Sequence, residues 1–235
     1  MPFAEDTDRP GVLARTRDLA VGYGGEPVCA PVTLTLAAGE ALAVIGANGT
    51  GKSTLLRTVV GLQDPLGGEL EVLGAAVDPR TAAFRADVAS VLGDDAFFPA
   101  LTVTEHLLLV AYGHGVPDAA GVVADLVEEF GLTERARALP SALSSGQRRR
   151  VLLAAAFARP RSLLVLDEPE QRLDSGMRNQ LTDRLVEERE DGGAVLVASH
   201  DPILVAGAAT SVLLLADDEV RLLSPAEGAA AIGAL

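Results

Sequence analysis

The 235-residue chain is long enough for one α/β domain, and with 49% apolar residues it can bury a substantial core. It carries 33 Asp and Glu against 19 Lys and Arg, and this formal charge of −14 argues against nucleic acid or an anionic lipid surface as its main partner. Tryptophan is absent and aromatics are 3% of the residues, so the core must be Leu, Val, Ala and Ile, the usual filling of a parallel sheet covered by helices.

In chain order, Met1–Arg9 is acidic and lacks the apolar run of a signal peptide. Leu13–Leu36 alternates in hydrophobicity and is cut by Gly22, Gly24, Gly25 and Pro27, which predicts short antiparallel strands and turns. Cys29, the single cysteine, fits a reducing compartment and reads as a small core residue. Ala41–Ile45 predicts a buried strand, a glycine-rich loop follows, and Lys52–Leu62 predicts a helix. Further strands are predicted at Glu69–Leu73 and Val88–Leu92. Thr102–Tyr112 and Ala119–Phe130 have helical spacing, with turn residues Gly113, Gly115 and Pro117 between them.

Arg148, Arg149 and Arg150 read as the basic start of a helix that continues through Val151–Ala158. Leu163–Leu166 and Ala194–Ala198 are unbroken apolar runs, as central parallel strands require. Ser211–Leu215 and Val220–Leu223 read as a closing hairpin, and the Ala-rich Gly228–Leu235 as a loosely held tail. The longest apolar stretch, Ile203–Ala216, is too short to span a bilayer.

Two segments carry chemistry. Residues 46 to 54, Gly-Ala-Asn-Gly-Thr-Gly-Lys-Ser-Thr, match G-x-x-x-x-G-K-[ST] in full, between a strand and a helix. Glycines let successive N–H groups turn toward a phosphate, and the following helix presents its positive end to the same anion. Gly46, Asn48, Gly49, Gly51, Lys52, Ser53 and Thr54 are therefore candidate nucleotide contacts. Lys52 supplies charge at the β- and γ-phosphates, and the Ser53 hydroxyl is a candidate Mg²⁺ ligand. The second segment is the strand Leu163–Leu166 ending in Asp167 and Glu168. Adjacent acids at a buried strand end suit a cation or a reaction, with Asp167 toward Mg²⁺ and Glu168 as general base. By itself that pair is also compatible with an ordinary solvated strand end.

Leu143-Ser144-Ser145-Gly146-Gln147 then resembles the signature motif of the ABC ATPase family, and the resemblance runs from about Tyr23 to His200. It implies an α/β fold: a P-loop NTPase core with a mixed, mostly parallel sheet, an N-terminal antiparallel β subdomain and an inserted α-helical subdomain. Residues 1–235 would be one domain, with the core at about 11–92 and 160–225 and the insertion at about 93–159. Tyr23 would stack on adenine, and Ser144 and Gly146 would meet the γ-phosphate held by an opposite subunit. Asp174 would belong to the loop linking two sites, and His200 would contact the γ-phosphate. The family usually carries Gln after the strand at Val88–Leu92. Here Asp94 is the candidate substitute as a Mg²⁺ ligand, with Gly93 nearly as good an alignment. Glu170-Gln171-Arg172 also departs from the family, where a small residue such as Thr or Ser is common after the proline.

The resemblance implies an ATP- and Mg²⁺-dependent hydrolase that works as a head-to-tail dimer with a second ABC subunit. Its other partner would be an integral membrane permease, holding it at the cytoplasmic face of the membrane, and the short body favours export. The permease would sit in a groove formed by the insertion and residues 93–99, with Phe97 and Phe98 either touching it or packing inward. No nucleic acid partner is expected. The rival readings are a soluble ABC-type switch and a nucleotide-binding protein without hydrolysis. Intact Lys52, Asp167, Glu168 and His200 speak against the latter.

Overall fold

The computed structural model describes residues 11–93, 97–216 and 219–234. The antiparallel layer is a four-stranded sheet of order β4-β1-β6-β7, formed by β1 (Val12–Ala20), β4 (Val32–Ala37), β6 (Gly67–Val72) and β7 (Ala75–Ala76). A separate two-stranded hairpin joins β2 (Gly22–Tyr23) to β3 (Glu26–Pro27).

The second layer is a six-stranded sheet of order β12-β11-β5-β10-β9-β8. It contains β5 (Ala41–Ile45), β8 (Val88–Val91), β9 (Leu163–Asp167), β10 (Ala194–Ala198), β11 (Ser211–Leu215) and β12 (Val220–Leu223). Five of these strands run parallel and β12 is antiparallel at the edge. The mixed, mostly parallel sheet and the N-terminal antiparallel sheet expected from the sequence are both present.

The unbroken apolar runs are explained by burial on both faces. Ala41, Ala43 and Ile45 of β5 join one core cluster with Leu164 and Leu166 of β9 and Val195 and Val197 of β10. Leu42, Val44, Leu163, Val165, Leu196 and Ala198 point the other way, into the cluster under the antiparallel sheet. Helices α1 (Lys52–Val59) and α2 (Ala82–Asp87) contribute to the second cluster. The first is covered by α3 (Val103–Gly113), α4 (Ala119–Glu129), α5 (Ser145–Phe157), α6 (Ser175–Glu190) and α7 (Pro202–Ala208). Helix α3 starts at a capping box in which Thr102 and Glu105 satisfy each other's backbone N–H groups.

The stretch Ile203–Ala216 is divided between a helix and a strand: Asp201 caps α7, Pro202 is its first residue, and β11 begins at Ser211, as expected for the closing hairpin. One expectation needs correction. The tail is held: α8 (Pro225–Ile232) opens with a capping box of Ser224 and Glu227 and packs on α7 and β11. A Cβ at Gly228 would lie 2.7 Å from the Val212 methyls, so the smallest residue is needed where that helix meets the sheet. Among the described residues no helix is long and apolar enough to cross a membrane.

Candidate active site

Strand register brings the chemistry to one edge. Ala198 of β10 is level with Asp167 of β9 on one side and with Val44 of β5 on the other. The loops leaving β5, β9 and β10 therefore emerge side by side at the carboxyl ends of the strands, where open parallel sheets bind ligands.

The loop after β5 has a geometry that only its glycines permit. Gly46 has φ of +155°, and a Cβ there would lie 2.4 Å from the Leu215 carbonyl oxygen. Gly51 sits in the left-handed region at φ +90°, where a Cβ would strike Val28 at 2.7 Å. Asn48 and Gly49 are exposed at the loop tip. Thr50 Oγ1 donates to the Ala47 carbonyl at 2.9 Å, closing the turn.

Lys52 is buried under this arch, and its ammonium donates to the carbonyls of Gly46 at 2.8 Å and Ala47 at 2.9 Å. Burial pulls the Lys52 pKa below its usual value, while the nearby Glu168 and Asp167 carboxylates pull it up. The cation thus rests on main-chain oxygens that a phosphate would outcompete. Ser53 follows in the first turn of α1. Thr54 Oγ1 lies 3.3 Å from the Tyr23 hydroxyl, which places the half-exposed Tyr23 ring of the β2–β3 hairpin beside the phosphate loop.

At the end of β9, Asp167 Oδ1 is buried without a hydrogen-bond partner. An unpartnered carboxylate oxygen close enough to the buried Lys52 to act on its charge is a donor that suits a hard cation such as Mg²⁺. Glu168 adopts φ +46°, unusual for a residue with a side chain, and its N–H is tied to the Ala198 carbonyl at 2.8 Å. Its Oε1 stands 3.4 Å from His200 Nε2, and its Oε2 accepts from the Gln171 amide. The sequence-predicted Lys52, Asp167, Glu168 and His200 are thus brought to one site.

The arginine run is more than a basic helix start. Arg149 is 4% exposed, and its guanidinium donates to the main-chain carbonyls of Asp167, Glu168 and Pro169. It therefore holds the backbone of the acidic loop from the α5 side. Arg150 pairs with Asp174. Asp174 also caps α6 by accepting from the Met177 N–H at 2.9 Å, and the hydrogen bond holds its carboxyl below the usual range.

Ser144 and Gly146 open α5, with Ser144 and Gln147 forming a capping box. A Cβ on Gly146 would fall 2.6 Å from the Arg172 carbonyl oxygen, so this turn packs tightly on the loop after β9. Asp94 lies outside the described residues. Gly93 lines a groove of about 1010 Å³ between the main sheet and α3, together with Arg57, Phe98, His106, His114 and Arg159. Phe97 and Phe98 both tilt against the His106 ring, at 5.6 and 5.9 Å between centroids. Phe97 packs on the core and Phe98 is 55% exposed.

This fold and phosphate loop define a nucleotide-binding protein of the P-loop class. The family model for ABC transporters matches residues 29–171. The chain is 40% identical over 197 residues to the cytochrome c biogenesis ATP-binding export protein CcmA of Paramagnetospirillum magneticum, covering 82% of this chain and 89% of the relative. It is 30% identical over 211 residues to the ABC-type transporter ATP-binding protein EcsA of Bacillus subtilis, covering 89% and 85%. Over 215 residues it is 37% identical to the aliphatic sulfonates import ATP-binding protein SsuB of Pseudomonas entomophila, covering 90% and 76%. Among solved structures, the ATP-binding subunit of an ABC transporter superposes with a TM-score of 0.82 at 27% identity, over 90% of each chain. A dimeric ATP-binding cassette in a post-hydrolysis state shares the fold, with a TM-score of 0.80 at 23% identity. The chain belongs to the ABC transporter family, as one of its ATP-binding, ATP-hydrolysing subunits.

Proposed function

We propose that this subunit hydrolyses ATP in a head-to-tail dimer and so drives a separate membrane permease, in the direction of export. The observation that carries the reading is the meeting of Lys52, Asp167, Glu168 and His200 at one edge of the sheet. The N–H groups of the 46–51 loop and the start of α1 receive the phosphates, and Lys52 exchanges its carbonyl partners for phosphate oxygens. Tyr23 stacks on the adenine. Ser53 and Asp167 would hold Mg²⁺, which would supply positive charge against the phosphate oxygens when bound.

Glu168 accepts a proton from the attacking water while the water oxygen bonds to the γ-phosphorus and the β–γ bridging bond breaks, its electrons leaving with ADP. His200, 3.4 Å from Glu168, contacts the γ-phosphate on the same side. Ser144 and Gly146 stand at the capped N-terminal start of α5, where Ser144 is exposed, and would complete the site of a second subunit, with Asp174 joining the two sites. The core at about 11–92 and 160–225 carries the nucleotide chemistry, and the helical insertion at about 93–159 makes the groove for the permease, at the cytoplasmic face. The apolar Phe98 edge of that groove suits a helix from such a partner. Export is the direction named for the CcmA relative of Paramagnetospirillum magneticum, 40% identical to this chain.

The test is to express Glu168→Gln in the native host, trap it with ATP, and purify it from detergent-solubilised membranes. Removing the base leaves the ATP-bound state long-lived, so a polytopic membrane protein in stoichiometric amount is expected. Recovery of a soluble homodimer alone would replace the permease reading with a soluble ABC-type switch.

A further inference from the structure

Glu170 follows Glu168 by two residues, yet its side chain turns inward and is 8% exposed. Its Oε1 accepts two hydrogen bonds of 2.8 Å, one from the Ser199 hydroxyl and one from the His200 backbone N–H. Ser199 is fully buried, and its hydroxyl oxygen accepts in turn from the Asp201 N–H at 3.0 Å. Asp201 caps α7 and pairs with Arg178 of α6 at 3.3 Å. One carboxyl oxygen therefore ties the turn that carries His200 to the loop that carries Glu168. Arg149 holds the same loop from its other side, through the carbonyls of residues 167 to 169.

This is an expensive way to fill space. Burial is the largest influence on Glu170 and raises its pKa, and its Oε2 has no partner. An apolar side chain would pack there more cheaply, but it could not accept from the His200 N–H. A short hydroxyl side chain could not reach it. What the contact secures is the placement of His200 relative to Glu168, whose Oε1 and Nε2 atoms lie 3.4 Å apart.

We propose that Glu170 is a positioning residue for ATP hydrolysis: its buried carboxyl locks the His200 main chain to the Glu168 loop. The inference rests on the reading of Glu168 as base and His200 as γ-phosphate contact. It requires an acceptor of this length at position 170 and no charge, so glutamine suffices and methionine, of similar shape, does not.

The purified full-length chain is assayed for ATP turnover and, separately, for binding of a fluorescent ATP analogue. Glu170→Met should lower kcat about tenfold while KM and analogue affinity stay within about threefold, because placement for the chemical step is lost and binding is not. Glu170→Gln should restore kcat to within about threefold of the parent. In a His200→Ala background Glu170→Met should add less than about twofold, since it acts through His200. Ser199→Ala loosens the same clamp without altering the carboxyl; it should lower kcat a few-fold, and it stands in should the methionine variant fail to fold. Parental turnover in Glu170→Met, or a full additional loss in the His200→Ala background, overturns the proposal. If His200→Ala itself retains parental turnover, the reading of His200 falls and the proposal with it. If His200→Ala is impaired while Glu170→Met is not, the proposal alone falls.

Discussion

Side chains at the carboxyl edge of the sheet separate into those that would meet nucleotide and those that hold their neighbours in place. Arg149 is of the second kind, since its planar fork reaches Pro169 through Nε and Asp167 and Glu168 through Nη2, a spread that the single nitrogen of an ammonium does not match. Arg149→Lys should therefore keep charge and helix yet reduce ATP turnover by roughly tenfold or more, measured as kcat with analogue binding as control. Glu170 makes a pH prediction. Its folded pKa is raised above the ordinary 4.5 by burial, so the folded state binds its proton more tightly than the unfolded state does. Stability tied to that proton is present below pH 4.5 and is lost as pH rises through the folded value. Glu170→Gln cannot ionise, so its melting temperature should exceed the parent's by a margin that widens from acid toward neutral pH. A constant margin would contradict this. Gly46→Ala should destabilise by about 2 kcal/mol or more and abolish nucleotide binding, because its Cβ would meet the Leu215 carbonyl at 2.4 Å.

Elements were legible in proportion to how local their signals are. The strand-loop-helix around Lys52 and the acidic end of β9 are written in contiguous residues, so they stand out in the sequence. The roles of Arg149 and Glu170 are not, because their partners are main-chain groups about 20 and 30 residues away that only the sheet topology brings close. Helix α6 fully buries only Met177, Leu181, Thr182 and Leu185 and is elsewhere mostly polar or charged, so its apolar stripe is thin. The C-terminal segment is instructive in another way. Its alanine content suggests a loose tail, yet Ser224-Pro225-Ala226-Glu227 holds both the capping-box spacing and a proline at the first helical position. Ser224→Ala should cost about 1 kcal/mol in a denaturant melt, and no measurable loss would mean that α8 is held by packing alone.

At the scale of the whole molecule, the phosphate loop and the 144–147 turn of one chain are built on different elements, the first after β5 and the second opening α5. The proposed mechanism needs both around one ATP, which calls for two chains. The most direct test is light scattering on purified Glu168→Gln with and without ATP and Mg²⁺. The account predicts a monomer without nucleotide and twice that mass with ATP, with the shift lost when Gly146→Asp is added. A mass that stays monomeric with bound ATP, or a dimer that forms regardless of ATP and of Gly146, would contradict it.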